Sequence, residues 1–367
     1  MKTILLIFAL ICFPLQAFAV TDGAPVDTGT VRGVVTKVIS DEVRLIPGTE
    51  TKNVVQDIEA KTDSGDTIRI LNDRVPLKVG DGFYATWQET PEGKMYTVKE
   101  ADRRMVILFS VFLFAAVTII IGGWVGLRAL LSLVASVLVI IYALLPQLAH
   151  GAPPILTSTL FAALILAIAM GVTHGLNRTT YAAFGASVIT ILFAILLGEF
   201  FVTAARLSGF TDDASTILNL STGGTLHMEG LLLGALIIGI LGIIDDLAVT
   251  QVLTVQELKN ANAALSKGQL YTRAMRVGKE HLGAVVNTLV LAYAGAALPL
   301  LLLFSLSPSD PIMLLNSEVM AIEIIRSSVG GVALALILPI ATSLGIFVVK
   351  KGAIEPQNGH HHHHHHA

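Results

Sequence analysis

The chain has 367 residues, of which 53% are hydrophobic and 14% charged, and its formal net charge is -3. The hydrophobic residues come in long blocks, which excludes an ordinary soluble globular protein, and the small net charge argues against a nucleic-acid partner. The single cysteine, Cys12, lies in an apolar N-terminal stretch. Disulfides, zinc–cysteine sites and thiol catalysis are therefore excluded for the rest of the chain.

Residues 1–19 have the form of a secretory signal peptide. Lys2 precedes an apolar run, and Ala17-Phe18-Ala19 supplies small residues at the positions that signal peptidase reads. The run is short for a membrane span and Pro14 interrupts it, so we expect cleavage before Val20. The alternative is an uncleaved first helix. Either way, a signal predicts that the segment after it is translocated.

Residues 20–102 are predicted to form a small extracytoplasmic β-domain. Short runs of β-branched and aromatic residues are separated by turn signals such as Ser64-Gly65-Asp66. The predicted strands are 30–38, 54–61, 67–71, 83–87 and 95–99. This pattern indicates an OB-like barrel or a sandwich. We expect a spacer or assembly module, because the stacking aromatics and basic groove of oligomer-binding barrels are not evident.

Residues 103–351 are predicted to form an α-helical transmembrane domain of about seven helices, because runs long enough to cross a bilayer recur from Met105 onward. The predicted spans are 105–122, 128–146, 154–173, 181–204, 229–251, 283–305 and 328–349. Between the fifth and the sixth predicted spans, residues 252–281 form a polar, basic, helix-prone connector. Residues 352–367 are a tail with a polyhistidine purification tag.

The distribution of basic residues predicts how this domain is inserted, since arginine and lysine are concentrated on the cytoplasmic side of membrane proteins. With the β-domain outside, the segments predicted to be inside carry Arg128, Arg178, Lys259, Lys267, Arg273, Arg276, Lys279, Lys350 and Lys351. Apart from Arg103 and Arg104 of the translocated domain, the outer segments carry only Arg206 and Arg326. The expected location is the inner membrane of a bacterium, with the C-terminus inside.

Asp245 and Asp246 are the leading candidate site. They lie within an apolar pattern that runs from Leu231 to about Leu258, so both acids are expected near the middle of a membrane helix. Burying a carboxylate at bilayer depth costs several kcal/mol, and such a residue usually faces the bundle interior or water. The functional interpretation is a proton or cation relay. The alternative is a pair at the helix end, in the inner headgroup region.

Other polar and small residues accompany the two acids. Asn287 and Thr250 are the further candidates for ion coupling. Possible accessory residues are Glu199, Gln251, Glu323 and Arg326. Gly230, Gly234, Gly239 and Gly242 have the small-residue spacing that lets membrane helices pack closely. His174 and His281 lie near inner helix ends, where histidine is more often solvated than a ligand. We expect no metal and no cofactor. The sequence has no Gly-x-x-x-x-Gly-Lys run, the motif that binds the phosphates of a nucleotide.

Three stretches resemble the YibE/F family. They are Gly242–Gln251, His281–Pro299, and Glu323–Arg326 with the Gly330-Gly331 helix that follows. The order of signal, β-domain and seven spans is also similar to that family, and the likeness covers most of residues 25–350. The resemblance implies this architecture more than any activity.

A fainter resemblance, over about residues 180–350, is to the transmembrane core of the RND superfamily and its SecD/SecF relatives. The shared features are an apolar helix with Asp245 and Asp246, a polar connector, a span opening with 283–288, and Thr342-Ser343 in the last span. In RND exporters a mid-helix acidic pair takes part in proton transfer, which the resemblance implies here. This chain has no intramembrane lysine, no large domain between the first two spans, and one set of helices. A homodimer or higher homo-oligomer, or another partner, would supply the second set.

The leading hypothesis is a transporter or exporter driven by a proton or cation gradient, not an enzyme, with the aspartate pair as coupling site. The alternative is a non-transporting membrane assembly or sensor protein that uses the β-domain for recognition. An intramembrane aspartyl protease is disfavoured, because adjacent residues on one helix point about 100° apart and no second span offers an aspartate. The expected partners are the lipid bilayer, further copies of the chain, and an unidentified small-molecule or ion substrate.

Overall fold

The structure is a computed structural model, and it describes residues 28–45, 52–91, 93–211, 213–307 and 310–349. The predicted signal peptide, residues 1–19, and the tail, residues 352–367, lie outside the described residues. Two compact units meet in the sequence between Ile121 and Gly122.

The first unit contains one antiparallel sheet of five strands that forms a half-barrel. The strands are β1 (Thr28–Leu45), β2 (Lys52–Thr62), β3 (Thr67–Asn72), β4 (Gly82–Thr90) and β5 (Gly93–Ala101), in the order β3-β2-β1-β4-β5. The two edge strands, β3 and β5, come close to each other. Ile58, Ile70 and Phe83 alternate with more accessible neighbours and fill the core. All five predicted strands are present, and β1 is longer than predicted because two bulges let it keep pairing with β2.

Asp102 holds the end of this sheet to the first helix. Its carboxylate accepts hydrogen bonds from Arg104 Nε and Nη2, both at 2.9 Å, and from Arg32 Nε at 2.8 Å. The Asp102 side chain is 10% exposed. The hydrogen bonds from Arg104 and Arg32 stabilise the charged form, so the pKa of Asp102 lies well below its ordinary value.

The rest of the chain is helical. The helices are α1 (Arg104–Val139), α2 (Leu145–Ala149), α3 (Pro154–His174), α4 (Arg178–Ala204), α5 (Asp213–Ser221), α6 (Met228–Ala261), α7 (Lys267–Ala296), α8 (Leu298–Leu306), α9 (Pro311–Leu315) and α10 (Glu318–Val348). A π-helical segment, Ile140–Leu144, joins α1 to α2. Among the described residues, five helical segments are long and apolar enough to cross a membrane: 104–149, 154–174, 178–204, 228–261 and 318–348. The count rises to six if α7 and α8, which meet at a bend of 63°, form one span.

The helix ends differ from the predicted spans in places that local chemistry explains. Helix α6 continues to Ala261, about ten residues past the predicted end, because Val252 and Val255 are buried and keep its last turns packed. Helix α7 begins at Lys267, inside the predicted connector, where Ser266 and Gln269 form a reciprocal capping box. It ends before Pro299, whose ring removes a backbone donor and clashes with the preceding turn.

Helix α6 is the centre of the helical unit. It packs against α3, α4, α7 and α10, and α4 and α10 also pack on each other. Ile237, Ile240, Ile244 and Leu247 are almost completely buried in this core. One face of α6 is left uncovered by the described residues.

Candidate functional site

The uncovered face of α6 carries Asp246. Ala235, Gly239, Gly242, Asp246 and Thr250 follow one another at intervals of three or four residues, and all five are exposed. Residues at these spacings lie on one side of a helix. We call the side of α6 that these five residues form the open face. Two of the predicted coupling residues, Asp246 and Thr250, therefore lie together on the open face.

Asp245 has a different environment from its neighbour. It lies about 100° around the helix from Asp246 and is partly buried. Its Oδ1 atom is buried and has no hydrogen-bond partner among the described residues. An ionised oxygen without a donor is costly in such a place, and a proton or a bound cation would compensate it.

His174 lies near one residue of each charge, Asp246 and Arg128. His174, the last residue of α3, is near enough to Asp246 and Arg128 for both charges to act on its ring. Arg128 Nε donates a hydrogen bond of 2.6 Å to the carbonyl of Val172. Carbonyl groups at a helix C-terminus favour a cation, which accounts for the position of this guanidinium. The imidazole of His174 on α3 is therefore near an acid of α6 and a guanidinium of α1.

A polar cleft of about 500 Å³ lies next to this group. Its lining residues come from the end of α3, the start of α4 and helix α6: His174, Asn177, Arg178, Thr179, Thr180, Val249, Leu253 and Gln256. Val249 and Leu253 follow Asp246 by three and seven residues, so Asp246 lies on the same side of α6, one turn from the cleft. His174 belongs both to the cleft and to the charged group.

Hydrogen bonds fix the boundary of the polar cleft. Asn177 Oδ1 accepts from the Thr180 amide at 2.9 Å and caps α4, while Asn177 Nδ2 donates to the His174 carbonyl at 3.1 Å. The Thr179 hydroxyl donates to Gln256 Oε1 at 2.7 Å and links α4 to α6. The backbone that carries His174 is therefore held in a defined place.

Gln251 lies away from the open face and joins three helices. It is 2% exposed, and its Nε2 donates to Thr342 Oγ1 at 2.6 Å and to the Ala274 carbonyl at 3.1 Å. Thr342 in turn donates to the Leu338 carbonyl at 2.7 Å. A Cβ atom at Gly278 would come within 2.5 Å of Gln251 Oε1, so only glycine fits there without movement. These contacts give Gln251 a structural place in the bundle.

The remaining predicted site residues are not brought to the aspartate pair. Glu323 and Arg326 form an ion pair of 2.9 Å, and the Arg326 guanidinium lies 6.0 Å from the ring centroid of Tyr293. Asn287, on α7, and Glu199, on α4, are both exposed. The structure therefore has a second polar group on α7 and α10, separate from Asp245 and Asp246.

The four predicted packing glycines have different surroundings. A Cβ at Gly234 would lie 2.5 Å from Ser158 Oγ, and one at Gly230 would lie 3.4 Å from Pro154, so both glycines bring α6 close to α3. A Cβ at Gly239 would lie 3.2 Å from the Tyr293 hydroxyl. Gly242 has no described atom within 4 Å of that position and simply forms part of the open face.

Glu318 was not singled out from the sequence, yet it fixes the loop before α5. Its Oε1 accepts from the Ser208 amide at 2.6 Å, the Ser208 hydroxyl at 2.7 Å and the Gly209 amide at 3.1 Å. Gly209 has a φ of 84°, and a Cβ there would lie 2.5 Å from the Met228 carbonyl oxygen. The Ser-Gly pair is a turn signal, but nothing in the local sequence connects it to a glutamate in α10.

A family model described as YibE/F-like protein matches residues 110–351. The matched range contains the aspartate pair, Arg128, His174 and the whole polar cleft. No curated protein and no solved structure shows significant similarity to the chain. The family description states no activity, so the function has to be argued from the site.

Proposed function

The chain belongs to the YibE/F family, and we propose that it is a membrane transporter or exporter driven by a proton or cation gradient, with Asp245 and Asp246 as its coupling site. The observation that carries the proposal is the buried Oδ1 of Asp245, which has no donor among the described residues. The neighbouring acid, Asp246, lies on the same side of α6 as the polar cleft. Neighbouring carboxylates repel each other, and a carboxylate in an apolar bundle is stabilised when it binds a proton or a cation. A pair with one dry and one accessible member is suited to take up and release that ion.

The helices support a domain of seven spans. The 46 residues from Arg104 to Ala149 would extend about 69 Å as one helix, more than twice the ~30 Å hydrocarbon core. Gly123, with φ 53° and ψ -133°, interrupts the helix near its middle. Dividing this segment at Gly123 and counting α7 with α8 as one bent span gives seven. With the β-domain outside, an odd number of spans places the C-terminus inside, as the basic residues predict.

The open face also supports a homo-oligomer. Asp246 and Thr250 are polar groups on a membrane helix that no other described residue covers. Polar side chains within membranes usually face protein or water instead of lipid, and small residues such as Gly239 and Gly242 allow another helix to approach closely. A second copy of the chain would cover this face and complete the single set of helices.

The proposal is tested by complementation of a deletion strain in a growth and efflux screen, with and without collapse of the pH gradient. Asp246→Asn should abolish the rescued phenotype while membrane expression stays normal. Glu257→Gln, which removes an exposed charge further along α6, is the matched control and should remain active. Full activity of the Asp246→Asn protein would overturn the proposal. Loss of function only on deletion of residues 28–101 would instead support the assembly or sensor hypothesis.

A further inference from the structure

The polar cleft lies next to the proposed coupling site. His174 lines the cleft, and Asp246 lies one turn from Val249 and two turns from Leu253, which line it too. Asp246 itself is absent from the lining. His174 is thus the group of the cleft lining that lies near Asp246 and can exchange a proton near neutral pH.

We propose that the polar cleft is the aqueous access route to the aspartate pair and that His174 relays protons between the cleft and Asp246. This inference rests on the proposed function, and it identifies the coupling ion as a proton. In the relay step an imidazolium N–H of His174 gives its proton to a water molecule, and that water passes a proton to the Asp246 carboxylate, which leaves a neutral imidazole, a carboxylic acid and the water. The imidazole then takes a proton from a hydronium ion in the cleft and leaves a water molecule, and the reverse steps release the proton.

The charges around His174 suit a group that must both gain and lose a proton. Asp246, from α6, attracts a protonated ring, and Arg128, from α1, repels it. Arg178, from α4, also lines the cleft and adds a second positive charge. The hydrogen bond from Asn177 to the His174 carbonyl keeps the backbone of this residue in place. Histidine is the side chain best suited to such exchange near neutral pH.

The access route can be tested without any transport assay. Cys12 is the only cysteine, so a Cys12→Ser background permits single-cysteine labelling with a membrane-impermeant maleimide. Leu253→Cys, in the cleft, should react in vesicles of one orientation only. Leu196→Cys is the matched control, because Leu196 is 65% exposed on α4 but does not line the cleft, and it should not react. Equal or absent labelling of Leu253→Cys in both orientations would overturn the access route.

The relay is tested by proton flux into proteoliposomes that contain a trapped pH-sensitive dye, driven by a potassium diffusion potential. His174→Ala should reduce the flux at least about tenfold, since a positioned acid–base group usually contributes more than that. Imidazole added on the cleft side should restore much of the flux, which a purely structural role for His174 would not explain. His281→Ala, which changes an exposed histidine outside the cleft, should have no effect.

The outcomes separate the relay from the proposed function. If the wild-type protein carries flux that Asp246→Asn abolishes but His174→Ala leaves unchanged, the relay is wrong and the coupling site stands. If the wild-type protein carries no proton flux, the relay is wrong, and the proposed function stands only if a cation gradient drives the rescued phenotype in the growth and efflux screen. His174→Gln, which preserves size and polarity, guards against misfolding: it should be expressed normally, keep one-sided Leu253→Cys labelling and still lose the flux.

Discussion

Replacing Gln251 by leucine should destabilise the helix bundle without altering the open face. Gln251 is buried and donates two hydrogen bonds, to Thr342 Oγ1 at 2.6 Å and to the Ala274 carbonyl at 3.1 Å. These bonds join α6 to α10 and α7. Leucine has a similar size, so the substitution removes the hydrogen bonds and leaves little empty space.

The size of the effect follows from the groups left behind. Hydrogen bonds between membrane helices contribute about 0.6 kcal/mol on average and up to about 1.7. Thr342 keeps its bond to the Leu338 carbonyl, and the Ala274 carbonyl lies within a helix whose backbone continues to pair it. The penalty for unpaired groups is therefore small, and we expect a loss of about 1–2 kcal/mol, which is a factor of about 5–30 in the unfolding equilibrium.

The assay is the free energy of unfolding of the purified chain in mixed micelles, titrated with denaturing detergent and followed by helical circular dichroism. Thr250→Val, on the exposed side of the same helix, is the control and should change the free energy by less than about 0.5 kcal/mol. A double-mutant cycle of Gln251→Leu with Thr342→Val should show coupling. A loss of stability below about 0.5 kcal/mol, or additive single effects, would refute the assignment of Gln251 as a link between helices.

Two further predictions concern the β-domain and the loop before α5. Asp102→Asn should lower the melting temperature of the β-domain at neutral pH, because the bonds from Arg104 and Arg32 keep the pKa of Asp102 below its value in the unfolded chain. This stabilisation is complete above the unfolded pKa, so the difference from wild type should shrink as pH falls below about 4. Gly209→Ala should lower the melting temperature of the helical unit: a left-handed φ costs an L-residue about 1–2 kcal/mol, and the added Cβ would also collide with Met228.

Each of these predictions has a matched control. For Asp102 it is Glu89→Gln, which removes an exposed negative charge from the same sheet and should leave the melting temperature of the β-domain unchanged. A difference between Asp102→Asn and wild type that is constant with pH would contradict the ion-pair explanation. For Gly209 it is Gly223→Ala, where φ is 62° but no described atom lies within 4 Å of the new Cβ. Equal losses at both glycines would mean that the close approach to Met228 costs nothing.

The sequence predicted helix positions best where apolar runs end at strong breakers. The span predicted at 154–173 is helix α3, Pro154–His174, bounded by a proline and by Gly175. It predicted less well where the end depends on packing, as in α6, whose last turns are polar but buried on one side. Gly122-Gly123 within a long apolar run is compatible with a continuous or a divided helix, so the sequence alone could not determine how α1 crosses the membrane.

The candidate site was predictable in part for a similar reason. Two adjacent acids in an apolar run stand out, but their spacing does not say which one faces outward. The packing of Ile244 and Leu247 against other helices fixes the rotation of α6, and that rotation exposes Asp246. Arg128 and His174 come from different helices, and no local spacing connects them. Gln251 was assigned to the same site as a neighbour in sequence, although the helix turns its side chain to the opposite side.

The length of α6 determines how deep the aspartate pair lies. The helix has 34 residues, about 51 Å, so part of it must extend beyond a hydrocarbon core of ~30 Å. His227 and Glu229 are exposed at its start, which suits a position at the outer boundary. Asp245 follows about 26 Å further along, close to the inner boundary in the proposed orientation, and the fully buried Ile237, Ile240 and Ile244 lie between it and the outer end. In the proposed orientation the packed residues of α6 therefore lie almost entirely on the outer side of the pair, and the proposed transport cycle would require this packed outer half of α6 to open.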